Sequence, residues 1–169
     1  MPKTPLYYWD SCVFLAWLKD ENRDHIEKVN LLNVVQQIQK NEARLITSVL
    51  TKAEILRSTL TENAKEKLDK ILKRRNCGVL ATDDRIWNLV HDLRDYYQQL
   101  KIQDNLPTLT TPDAVHLATA IHYEANAFHT FDKNDEPPRR RALIPLSGNI
   151  ANKYEMTICV PSLPQQTLI

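Results

Sequence analysis

Apolar residues recur along the chain at two spacings, which predict two kinds of element. Leu31, Val34, Val35 and Ile38 fall at i, i+3, i+4 and i+7, as do Ile86, Leu89, Val90 and Leu93, and again Ala114, Leu117, Ala118 and Ile121. That period lays each set along one face of a helix. A longer stretch, Thr51 to Arg75, carries Leu56, Leu60, Ala64, Leu68, Ile71 and Leu72 and reads as helical. Val13 to Leu18 predicts a helix buried over much of its surface. Between the helices lie short apolar runs: Leu6 to Trp9, Leu45 to Val49, Gly78 to Ala81, Ala127 to Phe131 and Met156 to Val160. Runs this short, alternating with helices, suit central parallel strands covered on both faces. The expected order is β-α-α-β-α-β-α-α-β-β, a three-layer α/β/α domain around a mainly parallel sheet. Asn134 to Arg141, which contains Pro137-Pro138, and Ser147 to Lys153 predict loops. No repeat or boundary divides the chain, so residues 1–169 are expected to form one domain.

Composition narrows the classes. A chain of 169 residues, 43% hydrophobic and 25% charged, can bury a substantial core. A net charge of +1 does not mark a nucleic-acid binder overall, so any such role rests on local patches. No apolar run approaches the ~20 residues of a membrane span. The N-terminus shows no charged leader with a hydrophobic segment and cleavage site, so the expectation is a cytoplasmic protein without a membrane partner. Cys12, Cys77 and Cys159 are odd in number and widely spaced, and read as buried thiols of a reducing compartment. With only two glycines, Gly78 and Gly148, the chain has neither the Gly-rich dinucleotide fingerprint nor a P-loop.

Four acids carry the candidate chemistry. Asp10 closes the first apolar run, Glu54 follows Arg44 to Val49, Asp113 opens a helix after Thr111-Pro112, and Asp132 follows Ala127 to Phe131. If the strands are parallel neighbours, their ends share one edge, where open α/β folds place their sites. Carboxylates gathered there repel one another unless a divalent cation holds them, and hard cations prefer oxygen ligands. Each acid also has a structural reading. Thr51-x-x-Glu54 fits a capping box, Asp113 suits the positive end of a helix, and Asp10 and Asp132 suit turns. The Asp83-Asp84 pair reads as the cap of the helix that begins near Arg85. His116, three residues after Asp113, reads as a helix-face histidine packed beside the site. Trp9 and Trp17 read as core.

Taken together, Asp10-Ser11, Glu54 early in a helix, Pro112-Asp113-Ala114-Val115-His116-Leu117-Ala118-Thr119-Ala120 and Thr130-Phe131-Asp132 resemble a PIN domain along essentially the whole chain. The resemblance implies a Rossmann-like fold and a metal-dependent ribonuclease, with many small members being VapC-like toxins of toxin–antitoxin pairs. It implies that Asp10, Glu54, Asp113 and Asp132 bind Mg²⁺ or Mn²⁺, with Asp135 as an additional acid and Ser11 and Thr130 as hydroxyl supports. Cys12 departs from the pattern, standing where many relatives carry Asn. The implied partners are single-stranded RNA, a cognate antitoxin and a second copy of the chain. Of two basic clusters, Lys73-Arg74-Arg75 reads as solvated surface. Arg139-Arg140-Arg141 follows Asp132 closely enough to be the candidate phosphate-binding cluster. Two rival readings stay open: a non-catalytic interaction module on the same fold, and a phosphoryl-aspartate phosphatase or receiver. Asp10-Ser11-Cys12 lacks the Asp-x-Asp of such phosphatases.

Overall fold

Five short strands, β1 (Leu6–Trp9), β2 (Arg44–Ser48), β3 (Cys77–Leu80), β4 (Ala127–His129) and β5 (Thr157–Cys159), join in one all-parallel sheet ordered β3-β2-β1-β4-β5. The computed structural model describes residues 4–137 and 139–163. Both faces of the sheet are covered, which is why its strands are largely apolar. Side-chain alternation sorts them between two cores. Tyr7, Trp9 and Leu45 pack with α1 (Ser11–Leu18), α2 (His25–Gln39) and α4 (Glu62–Leu72) on one face. Tyr8, Ile46, Phe128 and Ile158 pack with α5 (Asp84–Asp104) and α6 (Thr111–His122) on the other. Register aligns Tyr8 with both Ile46 and Phe128, and the Tyr8 and Phe128 rings stack with centroids 4.9 Å apart. The α/β expectation therefore holds, with every strand parallel.

The stretch from Thr51 to Arg75 is not one helix. It divides into α3 (Leu50–Glu54), a 3-10 turn over Arg57–Thr59, and α4. Leu56 and Leu60 are extended, and the Thr61 hydroxyl accepts from the Ala64 amide to start α4 afresh. Thr59 donates to the Leu56 carbonyl and Thr61 accepts from the Ala64 amide, and these bonds compete with the helix and outweigh the apolar period. The Thr51–Glu54 capping box does not form either. Val49 precedes α3 without a side-chain cap, and the Thr51 hydroxyl pairs instead with that of Thr47 at 2.6 Å. The Asp83 carboxylate does cap α5, accepting from the Arg85 and Ile86 amides, and Asn105 ends that helix in the left-handed conformation.

The sheet order positions the site. The chain steps outward from β1 through β2 to β3, then returns to the opposite side of β1 as β4. Strand order thus reverses between β1 and β4, and the crevice beyond their carboxyl ends is where such sheets bind ligands. Asp10 directly follows β1 and Asp132 lies just beyond β4. Among the described residues no helix is long and apolar enough to cross a membrane.

Candidate active site

Asp10 is a helix cap and a pocket acid at once. Its Oδ1 accepts from the Val13 amide at 3.3 Å and from the Cys12 thiol at 2.8 Å, and its side chain is buried. Burial raises its carboxyl pKa above the ordinary value against the hydrogen bonds of Cys12 and Thr130. The Cys12 sulfur in turn accepts from the Phe131 amide at 3.3 Å, so this thiol ties the end of β1 to the turn that carries Asp132. Burial and the neighbouring Asp10 push that thiol well above its usual range, leaving it protonated. All three cysteines are free and partly exposed rather than fully buried.

Asp113 stands in the first turn of α6. The Thr110 hydroxyl donates to its Oδ2 at 2.6 Å and accepts from its amide at 3.3 Å, a reciprocal cap. Burial raises this carboxyl as well, with the Arg140 charge opposing. A raised acid binds more protons folded than unfolded, so its ionisation costs native stability as pH climbs past the ordinary 3.8. The stability advantage of Asp113→Asn over wild type should therefore grow between pH 4 and pH 7 in chelator, because Asn keeps an acceptor for Thr110. Urea unfolding at several pH values measures it, and a shrinking advantage would contradict the burial argument.

Glu54 ends α3, where His116 holds it. The His116 Nε2 and Glu54 Oε2 are 2.7 Å apart, and Tyr8 Oη meets His116 Nδ1 at 2.7 Å. Tyr8 Oη also accepts from the Ser48 amide at 3.1 Å. Its one proton is then available to Nδ1, which leaves the Nε2 proton to donate to Glu54. Burial works against ionisation of Glu54, but the hydrogen bond from His116, with help from Ser11, holds its carboxyl below the ordinary value. Sequence reasoning placed His116 beside the site and missed Tyr8. The available signal was a phenol in the middle of a strand buried on both faces.

Asp132 closes the pocket from the β4 side. The Thr130 hydroxyl accepts the Asp132 amide at 3.1 Å, fixing the turn, and Asp132 Oδ2 accepts from the Leu143 amide at 3.0 Å. Arg140 meets both carboxylate oxygens, Nη1 to Oδ2 and Nη2 to Oδ1, each at 2.7 Å. The Asp132 pairing comes first among the causes that raise the guanidinium pKa. Repulsion at Asp132, expected from grouped acids, is thus offset by a cation of the chain itself. Arg141 is also engaged, its Nε donating to the Pro107 carbonyl at 2.9 Å and its guanidinium lying over the Tyr97 ring. Arg139 is exposed. Asp135 faces elsewhere, accepting from the Ala142 amide at 2.7 Å. Arg74 of the other basic cluster binds the Gln39 carbonyl, Asn41 and Asn76, a structural role.

Asp10, Glu54, Asp113 and Asp132 line one pocket of about 270 Å³, together with Ser11, Cys12, Arg23, His116, Phe131 and Arg140. Thr130 and Asp135 are not among its lining residues. A larger cavity of about 450 Å³ lies between α1, α3 and α4, is mostly apolar, and contains none of the four acids. The chemistry of the acid set, carboxylate oxygens partly withdrawn from water, fits a hard divalent cation. Among the described residues no three His, Cys, Asp or Glu side chains are drawn together closely enough to hold one as placed. The donors fit in kind, and their spacing is open.

Comparison with known proteins places the chain. A family model described as the PIN domain matches residues 7–138. Sixteen chains of solved structures match. Among them is VapBC2 from Rickettsia felis, solved bound to a DNA fragment from its promoter, with a TM-score of 0.53 and 18% identity over 74% of this chain and 86% of that one. At that identity the likeness shows the fold. No curated protein sequence matches.

Proposed function

Because the chain belongs to the PIN domain family, we propose that it is a metal-dependent endoribonuclease that hydrolyses phosphodiester bonds of single-stranded RNA. Asp10, Glu54, Asp113 and Asp132 are the proposed ligands of Mg²⁺ or Mn²⁺. The observation that carries the reading is the convergence of these four side chains, from α3, α6 and the ends of β1 and β4, on one pocket. A divalent ion bound there would lower the pKa of a water and offset charge developing at phosphorus. The protein's part is placement. The α1 cap fixes Asp10, the Tyr8–His116 pair turns Glu54, Thr110 fixes Asp113, and Thr130 sets the turn of Asp132. Ser11 supports Glu54 from the start of α1. No covalent nucleophile is required.

Phosphate contact outside the pocket falls first to Arg139, the exposed member of its cluster, since Arg140 and Arg141 are held by the protein. The proposal extends to a cytoplasmic toxin with a cognate antitoxin, a role that a neighbouring short reading frame with a DNA-binding N-terminus would support. It also extends to pairing of two copies, for which Ile26, Val29 and Leu32 expose an apolar stripe along α2. Sedimentation that finds only monomer at micromolar concentration would remove that part.

Metal binding is tested by melting. Mn²⁺ at one hundred times its dissociation constant should stabilise the wild-type protein by about 2.7 kcal/mol relative to chelator. Asp10→Asn should melt at or above metal-free wild type, since Asn caps α1 equally well and removes a buried charge, and should lose most of the Mn²⁺ response. Equal responses in both proteins would remove Asp10 from the ligand set.

A further inference from the structure

We infer that Arg140 is a displaceable internal cation of the acid pocket, so that a divalent ion and the Arg140 guanidinium hold Asp132 in alternation. The inference rests on the reading that these acids bind metal. Three observations carry it. The first is that Arg140 grips Asp132 by both oxygens at 2.7 Å, and its Nη1 stands 3.8 Å from Asp113 Oδ2, so one guanidinium spans two of the four acids. The second is that the fork is aimed by the backbone. Glu136 and Arg140 form an antiparallel bridge, with the Glu136 amide donating to the Arg140 carbonyl at 2.8 Å and the Arg140 amide returning to the Glu136 carbonyl at 3.0 Å. The Arg141 amide then donates to the Thr108 carbonyl at 3.0 Å and anchors the far side. The third is that the pair is sheltered, with side-chain exposures of 28% for Arg140 and 10% for Asp132, so water screens it less than a surface pair.

A planar guanidinium that meets both carboxylate oxygens fills the chelating side of Asp132, the Leu143 amide takes a further site on Oδ2, and a hard cation demands its own oxygen shell. Metal entry on that side of Asp132 therefore requires Arg140 to let go, and the energy of the fork opposes metal affinity there. The same fork compensates the acids when no metal is bound. The partial exposure of Arg140 and its weaker contact with Glu136, at 3.4 Å, give the released side chain a place to go.

Mn²⁺ titration of the purified full chain, followed by calorimetry and by melting, tests this. Arg140→Gln should bind Mn²⁺ at least about tenfold more tightly, the factor expected if the competing charge-assisted pair opposes binding by about 1.4 kcal/mol. Its metal-free form should melt lower than wild type, because Asp132 loses its partner. Arg140→Lys, a cation without the fork, should fall between the two. Lower metal-free stability with unchanged or weaker Mn²⁺ affinity in both variants would make Arg140 a structural clasp and overturn the inference. If Arg140→Gln does not fold, the wild-type Arg140 Nε–H resonance, assigned by its loss in Arg140→Lys, decides. It should move as Mg²⁺ binds, and a resonance that stays fixed at saturation overturns the inference. Asp10→Asn in the same titration keeps the two claims apart. Its binding Mn²⁺ as well as wild type would remove the acid-ligand reading, whereas weaker binding by Asp10→Asn with no gain in Arg140→Gln removes only the role of Arg140.

Discussion

Asp10→Asn and Asp113→Asn are each expected to lower RNA cleavage at saturating metal by at least about 100-fold, the scale of losing one preorganised charge-stabilising group. Each substitution removes a carboxylate oxygen while keeping the side chain's volume and its local acceptor role. Asn at position 10 still caps α1, and Asn at position 113 can still accept from the Thr110 hydroxyl. The loss should therefore appear in kcat with an unchanged fold by circular dichroism. Folded variants with near wild-type rates would show that these acids serve only as caps.

The second large effect is on stability. Trp9→Ala should cost about 3–5 kcal/mol, the range for truncating a buried large aromatic. Trp9 is completely buried and packs edge-on against Phe14, with ring centroids 5.2 Å apart. Its indole Nε1 also donates to His129 Nδ1 at 3.1 Å. Burial holds His129 neutral by lowering its pKa to about 3, and among the described residues its Nε2 has no partner, so the indole supplies the one hydrogen bond of that ring there. A domain with a total stability of about 5–15 kcal/mol has little left after such a loss. Chemical denaturation measures it, with Trp9→Phe expected to lose much less. A cost near 1 kcal/mol for Trp9→Ala would mean that this end of β1 is not packed as described.

How legible this was depended on whether neighbours in sequence or neighbours in space set the feature. The strand from Leu6 to Trp9 was readable because burial on both faces leaves no polar position to blur the run, and Leu45-Ile46 marked the second strand in the same way. The placement of Asp10 and Asp132 at strand ends followed from the runs Leu6 to Trp9 and Ala127 to Phe131. The break after Glu54 was not readable from apolar spacing alone, since Leu56 and Leu60 keep a helical interval while their backbones are extended. Nor was the Tyr8–His116–Glu54 chain, whose members come from β1, α6 and α3 and meet only when the sheet is assembled. Arg140 was the least legible. Three consecutive arginines read as one phosphate-binding cluster, and only the bridge between Glu136 and Arg140 sends one to Asp132 while Arg139 stays exposed.

The central claim is tested most directly by incubating the purified protein with a defined single-stranded RNA in Mn²⁺, in Mg²⁺ and in chelator, with Asp10→Asn alongside. Internal cleavage is expected with either metal, none in chelator, and restoration when metal is returned in excess. Cleavage that persists in chelator, or no cleavage by a folded, metal-saturated protein across a panel of RNA sequences, would contradict the account.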